Sequence, residues 1–246
     1  MARVLILGAS SAIAAEVARL CAARGDGLYL VARDDKKLAA LRAELSPSIL
    51  GVEAADLADT VSNAGVIDRA IFAMGGVDLA LVAHGLLGDQ EKSEHEWAEA
   101  ERVLTTNYLS VVSLLIPLVN ALEAQRSGTI AVITSVAGDR GRPRNYTYGS
   151  AKGALNIYLQ GVRSRLYRVG ARVYAIRLGP VETPMTATHP KNALFSRPGP
   201  IAEQLLHAVT GRREDLYLPW FWRPIMAVVR SLPEPVFQRI GFLSGR

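Results

Sequence analysis

The chain has 246 residues, half of them hydrophobic and 21% charged, which fits one α/β domain with a sizeable core and argues against disorder. The single cysteine, Cys21, excludes an intrachain disulfide and a cysteine-rich metal site, so we expect no metal, and it weakly favours a reducing compartment. The formal charge of +5 suits anionic ligands, but the basic residues are spread along the chain, so we expect no nucleic-acid partner.

Short apolar runs alternate with longer helical patterns along the chain. The runs predict strands at residues 4–7, 28–32, 49–54, 77–83, 129–134, 172–176 and 216–218. The patterns between them predict helices at 12–24, 35–45, around 66–74, 95–123, 148–169 and 201–209, the longest kinked at Pro117. Strands that are apolar on both faces and separated by helices indicate an α/β fold, a doubly wound Rossmann-type parallel sheet of about seven strands. The ligand site is expected at the carboxyl ends of these strands.

The first residues loosely resemble a secretory signal, because Arg3 precedes an apolar run to Ala15. Small polar residues interrupt this run and charged residues follow in amphipathic register, so we interpret the segment as strand, turn and helix, with an uncleaved signal as the alternative. The chain contains no stretch of about 20 uninterrupted apolar residues, and the sequence therefore predicts no membrane span.

The first strand ends in a turn of small residues that leads into the first helix. Such a turn lets the backbone approach a pyrophosphate, and the helix N-terminus offers free N–H groups and a positive dipole end. An ordinary strand–helix turn fits the same residues equally well. The position, between first strand and first helix and before a matching second strand, favours dinucleotide binding. The residues predicted to bind the cofactor here are Gly8, Ser10, Ser11, Ala12 and Ile13.

The ends of the second and third strands indicate which dinucleotide binds. An acidic residue after strand two would bind the ribose hydroxyls of NAD, whereas Arg33 stands where a cation can pair with the 2′-phosphate of NADP. The sequence therefore favours NADPH/NADP⁺ over NADH. The alternative for Arg33 is a solvated residue at the start of a helix, for which Asp34 can be the cap. Asp56 and Leu57 either border the adenine or lie in a surface loop.

Tyr148 and Lys152 are four residues apart, which places both side chains on one face of a helix. Tyrosine titrates near pH 10 when unperturbed, and a nearby ammonium lowers that pKa by favouring the phenolate. The spacing is common by chance, but Tyr146 is followed four residues later by Ser150 and cannot form such a pair.

Two further polar residues fall near the same predicted edge of the sheet. Ser135 ends the fifth strand, where its hydroxyl can hold a carbonyl oxygen or cap a turn. Asn107 lies within a predicted helix, an unfavourable place for asparagine. Its amide can hold a water or brace the neighbouring strand, and an exposed helix residue is the alternative.

The order of these features resembles the short-chain dehydrogenase/reductase family, in its single-domain branch: the glycine turn comes first, followed by Asn107, Ser135, Tyr148 and Lys152. The resemblance covers essentially the whole chain. The resemblance implies a catalytic tetrad that reduces a ketone. Tyr148 would donate the proton, while Lys152 would lower its pKa and bind the nicotinamide ribose. Ser135 would orient the carbonyl, and Asn107 would hold a relay water.

The chain departs from the family pattern in three places. Alanines replace two turn glycines, the segment after strand four contains His84, and leucine replaces proline before Gly179. His84 could be taken for a base, but a structural or cofactor-edge role is preferred. The resemblance still assigns a further set of residues to the cofactor: Ala83, Gly85, Tyr148, Lys152, Gly179, Val181 and Thr183.

The last part of the chain shapes the expected substrate side. The loop at 184–200 mixes apolar and cationic residues, namely Met185, His189, Lys191, Phe195 and Arg197. We divide the chain into a dinucleotide-binding catalytic domain, residues 1–218, and an aromatic, basic tail, residues 219–246, that includes Phe242. The tail could lie on an anionic membrane surface, form a subunit interface or close the pocket.

These features lead to one expected function and several alternatives. We expect a cytoplasmic, homo-oligomeric, NADPH-dependent carbonyl reductase with a small-molecule or lipid-linked ketone substrate, with peripheral contact to the inner face of the membrane through the tail. More loosely, the tail, the His84 segment and the 184–195 loop resemble bacterial reductases of decaprenylphosphoryl-2-keto-pentose. The alternatives are a reductase of 3-oxoacyl or other lipophilic ketones, an NADP(H)-sensing regulator and a tail-tethered scaffold.

Overall fold

The chain forms one seven-stranded sheet in which every neighbouring pair of strands is parallel. It is described by a computed structural model for residues 1–187 and 190–241, so His189 and Phe242 lie outside the described residues. The strand order is β3-β2-β1-β4-β5-β6-β7. The strands are β1 Arg3–Leu7, β2 Gly27–Ala32, β3 Ile49–Ala54, β4 Leu79–Val82, β5 Thr129–Ser135, β6 Arg172–Leu178 and β7 Asp215–Leu218. The predicted Rossmann-type sheet is confirmed.

Helices connect the strands and cover both faces of the sheet. They are α1 Ala12–Ala23, α2 Asp35–Leu45, α3 Asn63–Met74, α4 Gln90–His95, α5 Trp97–Leu104, α6 Ser110–Gln125, α7 Tyr146–Leu166, α8 Pro198–Ala208, α9 Trp222–Ser231 and α10 Glu234–Arg239. The single long helix predicted at 95–123 is wrong in detail, because a π-helical turn at Thr105–Leu109 separates α5 from α6. Pro117 lies inside α6 without ending it. Helices α4, α9 and α10 were not predicted from the sequence.

The two faces of the sheet bury different apolar residues of the same strands. In β1, Leu5 and Leu7 pack with residues of α3, α6 and α7, whereas Val4 and Ile6 pack with residues of α1, α2 and α8. All four are fully buried. Alternation of side chains along a strand explains this division, and burial on both sides explains why the strands are continuous apolar runs.

The point at which the sheet reverses its winding lies between β1 and β4. From β1 the chain proceeds outward to β2 and β3, and then returns to pair β4 on the other side of β1, with Leu7 beside Val82. Helices leave these two strands on opposite faces, so a crevice opens beyond their carboxyl ends. Gly8 and Ala83, which follow the two strands, lie at this crevice.

The described part of the tail packs against the sheet-bearing body. Trp222, Met226, Val229 and Phe237 form an apolar cluster with Val136, which follows β5. The Arg140 guanidinium fixes this packing by donating to the carbonyls of Val229 at 2.7 Å and Leu232 at 2.6 Å and to the Glu234 carboxylate at 2.7 Å. The boundary between residues 218 and 219 stays a prediction.

One helical run, Trp97–Gln125, is long and apolar enough to cross a membrane by length and composition. Its apolar residues are used within the fold, however, because Val111, Leu114, Leu118 and Leu122 of α6 pack in the core beside β4 and β5. We therefore interpret this run as a core helix.

Candidate active site

A cavity of about 1010 Å³ lies at the carboxyl ends of the strands, where the sequence analysis placed the ligand site. Three of the four predicted catalytic residues line it, namely Ser135, Tyr148 and Lys152; Asn107 does not. Every predicted cofactor-binding residue also lines it: Gly8, Ser10, Ser11, Ala12, Ile13, Arg33, Asp56, Leu57, Ala83, Gly85, Tyr148, Lys152, Gly179, Val181 and Thr183. The fold thus brings together residues that are up to 175 positions apart, from Gly8 to Thr183.

The turn after β1 has the backbone geometry that a pyrophosphate site requires. Gly8 has φ of +89°, and a Cβ there would lie 2.6 Å from the backbone nitrogen of His84. Any side chain would therefore close the approach between the ends of β1 and β4. The Ser11 hydroxyl caps α1 by accepting from the Ala14 N–H at 3.2 Å, while the first-turn N–H groups of a helix have no partners within it. This part of the cavity fits a dinucleotide.

Of the two charged residues that follow β2, Arg33 is available to bind an anion and Asp34 caps the next helix. The Arg33 side chain is 78% exposed, and its guanidinium lies 4.0 Å from the Asp56 carboxylate, a contact too long and exposed to fix it. Asp34 accepts from the Lys37 N–H at 3.1 Å and caps α2, as the sequence suggested. Arg33 is therefore free to pair with a ligand phosphate at this end of the cavity.

Tyr148 and Lys152 stand one turn apart on α7, next to the end of β5. The Lys152 ammonium lies 5.7 Å from the centre of the Tyr148 ring and donates to the Ile133 carbonyl at 3.2 Å. Ser135 hydrogen-bonds Tyr148, and its Oγ also accepts from the Ala137 N–H at 3.1 Å. Ser135 therefore caps a turn and interacts with the tyrosine, while its role toward a carbonyl oxygen stays a prediction.

The protonation of this pair differs from the sequence-based expectation. We expected Lys152 to lower the pKa of Tyr148, but burial raises the pKa of Tyr148 to about 12, with the Ser135 hydrogen bond acting in the opposite direction. Burial lowers the pKa of Lys152 to about 8. The reason is desolvation, which disfavours the charged form of each group. The protein alone therefore holds a protonated phenol, the form that a proton donor needs.

These two values predict the pH dependence of the ketone reduction that the sequence led us to expect. We expect kcat/KM, which reports the free enzyme, to be steady below neutrality and to fall as the pH rises through about 8, because Lys152 loses its positive charge there while Tyr148 stays protonated. A profile of kcat/KM from about pH 6 to about pH 10 measures this. A flat profile through pH 8 would remove the Lys152 ammonium from the rate-determining chemistry.

Asn107 is fully buried in the π-helical turn and braces the segment after β4. Its amide donates to the carbonyls of Leu86 at 2.6 Å and Val103 at 2.8 Å, and its oxygen accepts from the Leu86 N–H at 3.1 Å. An exposed helix asparagine is thus excluded. Because both amide hydrogens are taken, the relay-water role implied by the family resemblance stays a prediction.

His84 connects the end of β4 to α6. Its Nε2 lies 2.8 Å from the Ser110 Oγ, and that hydroxyl donates to the Thr106 carbonyl at 2.8 Å, so the histidine is the donor of the pair. Burial, and then the charge of Lys152, lowers the pKa of His84 to about 3. The ring is therefore neutral and structural at physiological pH, as the sequence analysis preferred, and its hydrogen bond ties the end of β4 to α6.

Among the cavity-wall residues that the sequence did not assign to the site are Trp222 and Arg142. Trp222 of α9 packs so closely on Gly179 that a Cβ there would lie 1.9 Å from the indole Nε1. Arg142, in the loop between β5 and α7, also lines the cavity, and its Nη2 lies 3.6 Å from the sulfur of Met226, which packs in one cluster with Trp222. The aromatic tail did indicate a role for Trp222, since closing the pocket was one of the three roles considered for the tail. For Arg142 the sequence offered only its position a few residues after Ser135.

A doubly wound sheet with a glycine turn after its first strand, opening on a cavity at the strands' carboxyl ends, is typical of proteins that bind a nicotinamide dinucleotide. Residues 2–193 match the family model described as short chain dehydrogenase. The chain is 36% identical over 241 residues to an uncharacterized oxidoreductase of Streptomyces coelicolor, covering 96% of this chain and 94% of that protein. It is 33% identical to an uncharacterized oxidoreductase of Mycobacterium tuberculosis, covering 97% of each. The chain belongs to the short-chain dehydrogenase family.

Solved structures share the fold. A short chain dehydrogenase from Burkholderia cenocepacia in complex with NADP has a TM-score of 0.84 at 19% identity, covering 97% of both chains. A putative betaketoacyl-ACP reductase has a TM-score of 0.76 at 24% identity, covering 88% of this chain and 95% of that one. At these identities the likeness concerns the architecture, and the residues of the cavity carry the functional argument.

Proposed function

We propose that the protein reduces a ketone to a secondary alcohol with NADPH. One observation supports this most strongly: Ser135, Tyr148 and Lys152 line the same cavity that extends to the glycine turn and to Arg33. The cavity therefore joins a dinucleotide cradle to a proton-donating group. When bound, the nicotinamide supplies the hydride.

The residues of the chain have separate tasks in this reaction. The Tyr148 phenol donates the proton to the ketone oxygen, and Ser135, which hydrogen-bonds Tyr148, holds that oxygen beside it. Lys152, 3% exposed, supplies positive charge next to the phenol and binds the ribose of the cofactor. Positioning and polarisation are what the protein contributes.

The cofactor preference depends on Arg33. Replacing Arg33 by Ala is expected to raise KM for NADPH about tenfold or more, because a charge-assisted bond to the 2′-phosphate is lost, and to leave KM for NADH nearly unchanged. Steady-state kinetics with both cofactors measure this. The matched control is Lys36→Ala, an exposed cation that does not line the cavity. Equal effects of Arg33→Ala on both cofactors would remove Arg33 from phosphate recognition.

The substrate class is tested by NADPH oxidation with a panel of ketones. The lipid-linked keto-sugar suggested by the looser sequence resemblance is one arm, and 3-oxoacyl thioesters and soluble steroids are the others. Preference for the thioesters or steroids would overturn the lipid-linked substrate and leave the ketone reductase in place. An NADP(H)-sensing regulator would bind NADPH but would oxidise it with none of the ketones in the panel.

We also propose that the protein acts as a homo-oligomer. Exposed apolar residues on the neighbouring helices α6 and α7, Ile116 at 52% and Ile157 at 72%, support a contact with a second copy. Light scattering of the purified protein tests this. We further propose that the protein is cytoplasmic, which cell fractionation tests. Peripheral membrane contact through exposed tail residues such as Trp220 and Val228 is a separate proposal, which flotation with anionic liposomes tests.

A further inference from the structure

Arg142 is a half-buried cation on the cavity wall with no carboxylate partner among the described residues. Its Nε is buried without a hydrogen bond there, and its Nη2 meets only the Met226 sulfur, at 3.6 Å. The nearby Asp139 carboxylate is already bound by Arg177 and by the Tyr217 hydroxyl. Arginine is rarely buried unless it is paired, so the environment of Arg142 is incomplete without a further acceptor.

The electrostatic environment of Arg142 also favours an incoming anion. Burial lowers its pKa, and the neighbouring Arg144 adds to this effect, while Asp139 opposes it. Arg144 lines the cavity as well and is exposed at its mouth. Two adjacent cations in a partly desolvated site repel each other. An anion bound between them offsets both this repulsion and the desolvation of the Arg142 guanidinium.

The carboxylates on the cavity wall are confined to one of its ends. The acidic residues that line it, Asp34 and Asp56, both follow strands at the adenine end. Beyond the catalytic pair, the described lining residues are cationic or uncharged; the apolar ones include Met185, Phe195 and Trp222. Other cations nearby have partners, since Lys191 lies 3.8 Å from Glu182 and Arg140 is held by Glu234.

We propose that Arg142, with Arg144, forms a subsite for an anionic group of the substrate, a phosphate or a carboxylate attached to an apolar skeleton. This inference deepens the proposed function and rests on it for the identification of this end of the cavity as the substrate side. The guanidinium offers planar, bidentate hydrogen bonds that suit either anion. Arg142 then becomes a residue that determines substrate specificity.

The test is calorimetric binding of a matched set of probes to the full chain saturated with NADP⁺. Octyl phosphate, octanoate and octanol share an apolar chain and differ in charge. We expect at least one anion to bind about tenfold more tightly than octanol, and Arg142→Gln to remove that difference while Arg142→Lys keeps part of it. The tighter of the two anions identifies the group. Arg197→Gln, an exposed cation outside the cavity wall, is the matched control and should change nothing.

Several outcomes would overturn the subsite. Wild-type protein that binds octanol as tightly as both anions contradicts it, and this comparison needs no variant. An equal loss for all probes in Arg142→Gln, or an equal effect of Arg197→Gln, also contradicts it. Because the measurement requires no turnover, it is separate from the ketone panel: anion binding without reduction of any ketone supports the subsite and refutes the proposed function, and the reverse result does the opposite.

Discussion

Replacing Tyr148 by Phe is expected to lower kcat for ketone reduction by about 10²–10⁴-fold, the usual contribution of a positioned general acid. The variant keeps the ring and loses only the hydroxyl, which hydrogen-bonds Ser135 and carries the proton with a pKa of about 12. NADPH binding is expected to change by no more than about twofold, since the loss concerns the transition state and not the ground state. Single-turnover kinetics and fluorescence titration with NADPH measure the two quantities.

A matched control lies two residues away on the same helix. Tyr146 is 45% exposed and does not line the cavity, so Tyr146→Phe should leave kcat unchanged. If Tyr148→Phe retained more than about a tenth of the wild-type kcat, general acid catalysis by Tyr148 would be refuted. Loss of NADPH binding in the same variant would instead assign the residue to cofactor recognition.

Most of the sheet could be predicted because its central strands, such as β1, β2 and β4, are buried on both faces. A continuous apolar run such as Val4–Leu7 has few alternatives once helical patterns flank it on both sides. The same logic placed Gly8 and Ser135 at one edge of the sheet, since parallel strands bring their carboxyl ends together whatever their separation along the chain. Gly179 was assigned to the cavity only through the family resemblance.

The remaining features depend on contacts that a linear pattern does not encode. The π-helical turn around Asn107 is stabilised by hydrogen bonds to Leu86, 21 residues earlier. The pKa of Tyr148 is set by desolvation, which requires knowledge of what surrounds the ring. The position of Trp222 depends on its packing against Gly179, and the tail sequence alone fitted several partners.

The loop between β5 and α7 is central to the site because it carries Ser135 at one end and Arg142 near the other. Side-chain contacts on two sides hold the middle of this loop in place. Arg140 binds the tail helices, and Asp139 binds Arg177 of β6, a residue that is 7% exposed and also donates to Asp215 at 2.7 Å. The geometry of the site therefore depends on buried charges outside the cavity.

Replacing Arg177 by Met is expected to lower the free energy of unfolding by about 3–5 kcal/mol, because it leaves a buried carboxylate without its cation. The Asp139 side chain is 0% exposed and would keep only the Tyr217 hydroxyl among its described side-chain partners. Urea denaturation followed by circular dichroism measures the loss. The double variant Arg177→Met/Asp139→Asn is expected to recover part of it, since the unpaired charge is then gone.

Arg172 provides the control on the same strand. It pairs with Glu214 at 3.1 Å with its side chain 34% exposed, so Arg172→Met should cost less than about 1 kcal/mol. A single Arg177 variant no less stable than the Arg172 variant would show that the buried network does not stabilise the fold. A double variant less stable than Arg177→Met would show that hydrogen bonding by Asp139, and not its unpaired charge, dominates. With recovery in the double variant, the stabilising element is the pairing of the two charges, which holds the loop between Ser135 and Arg142 against β6.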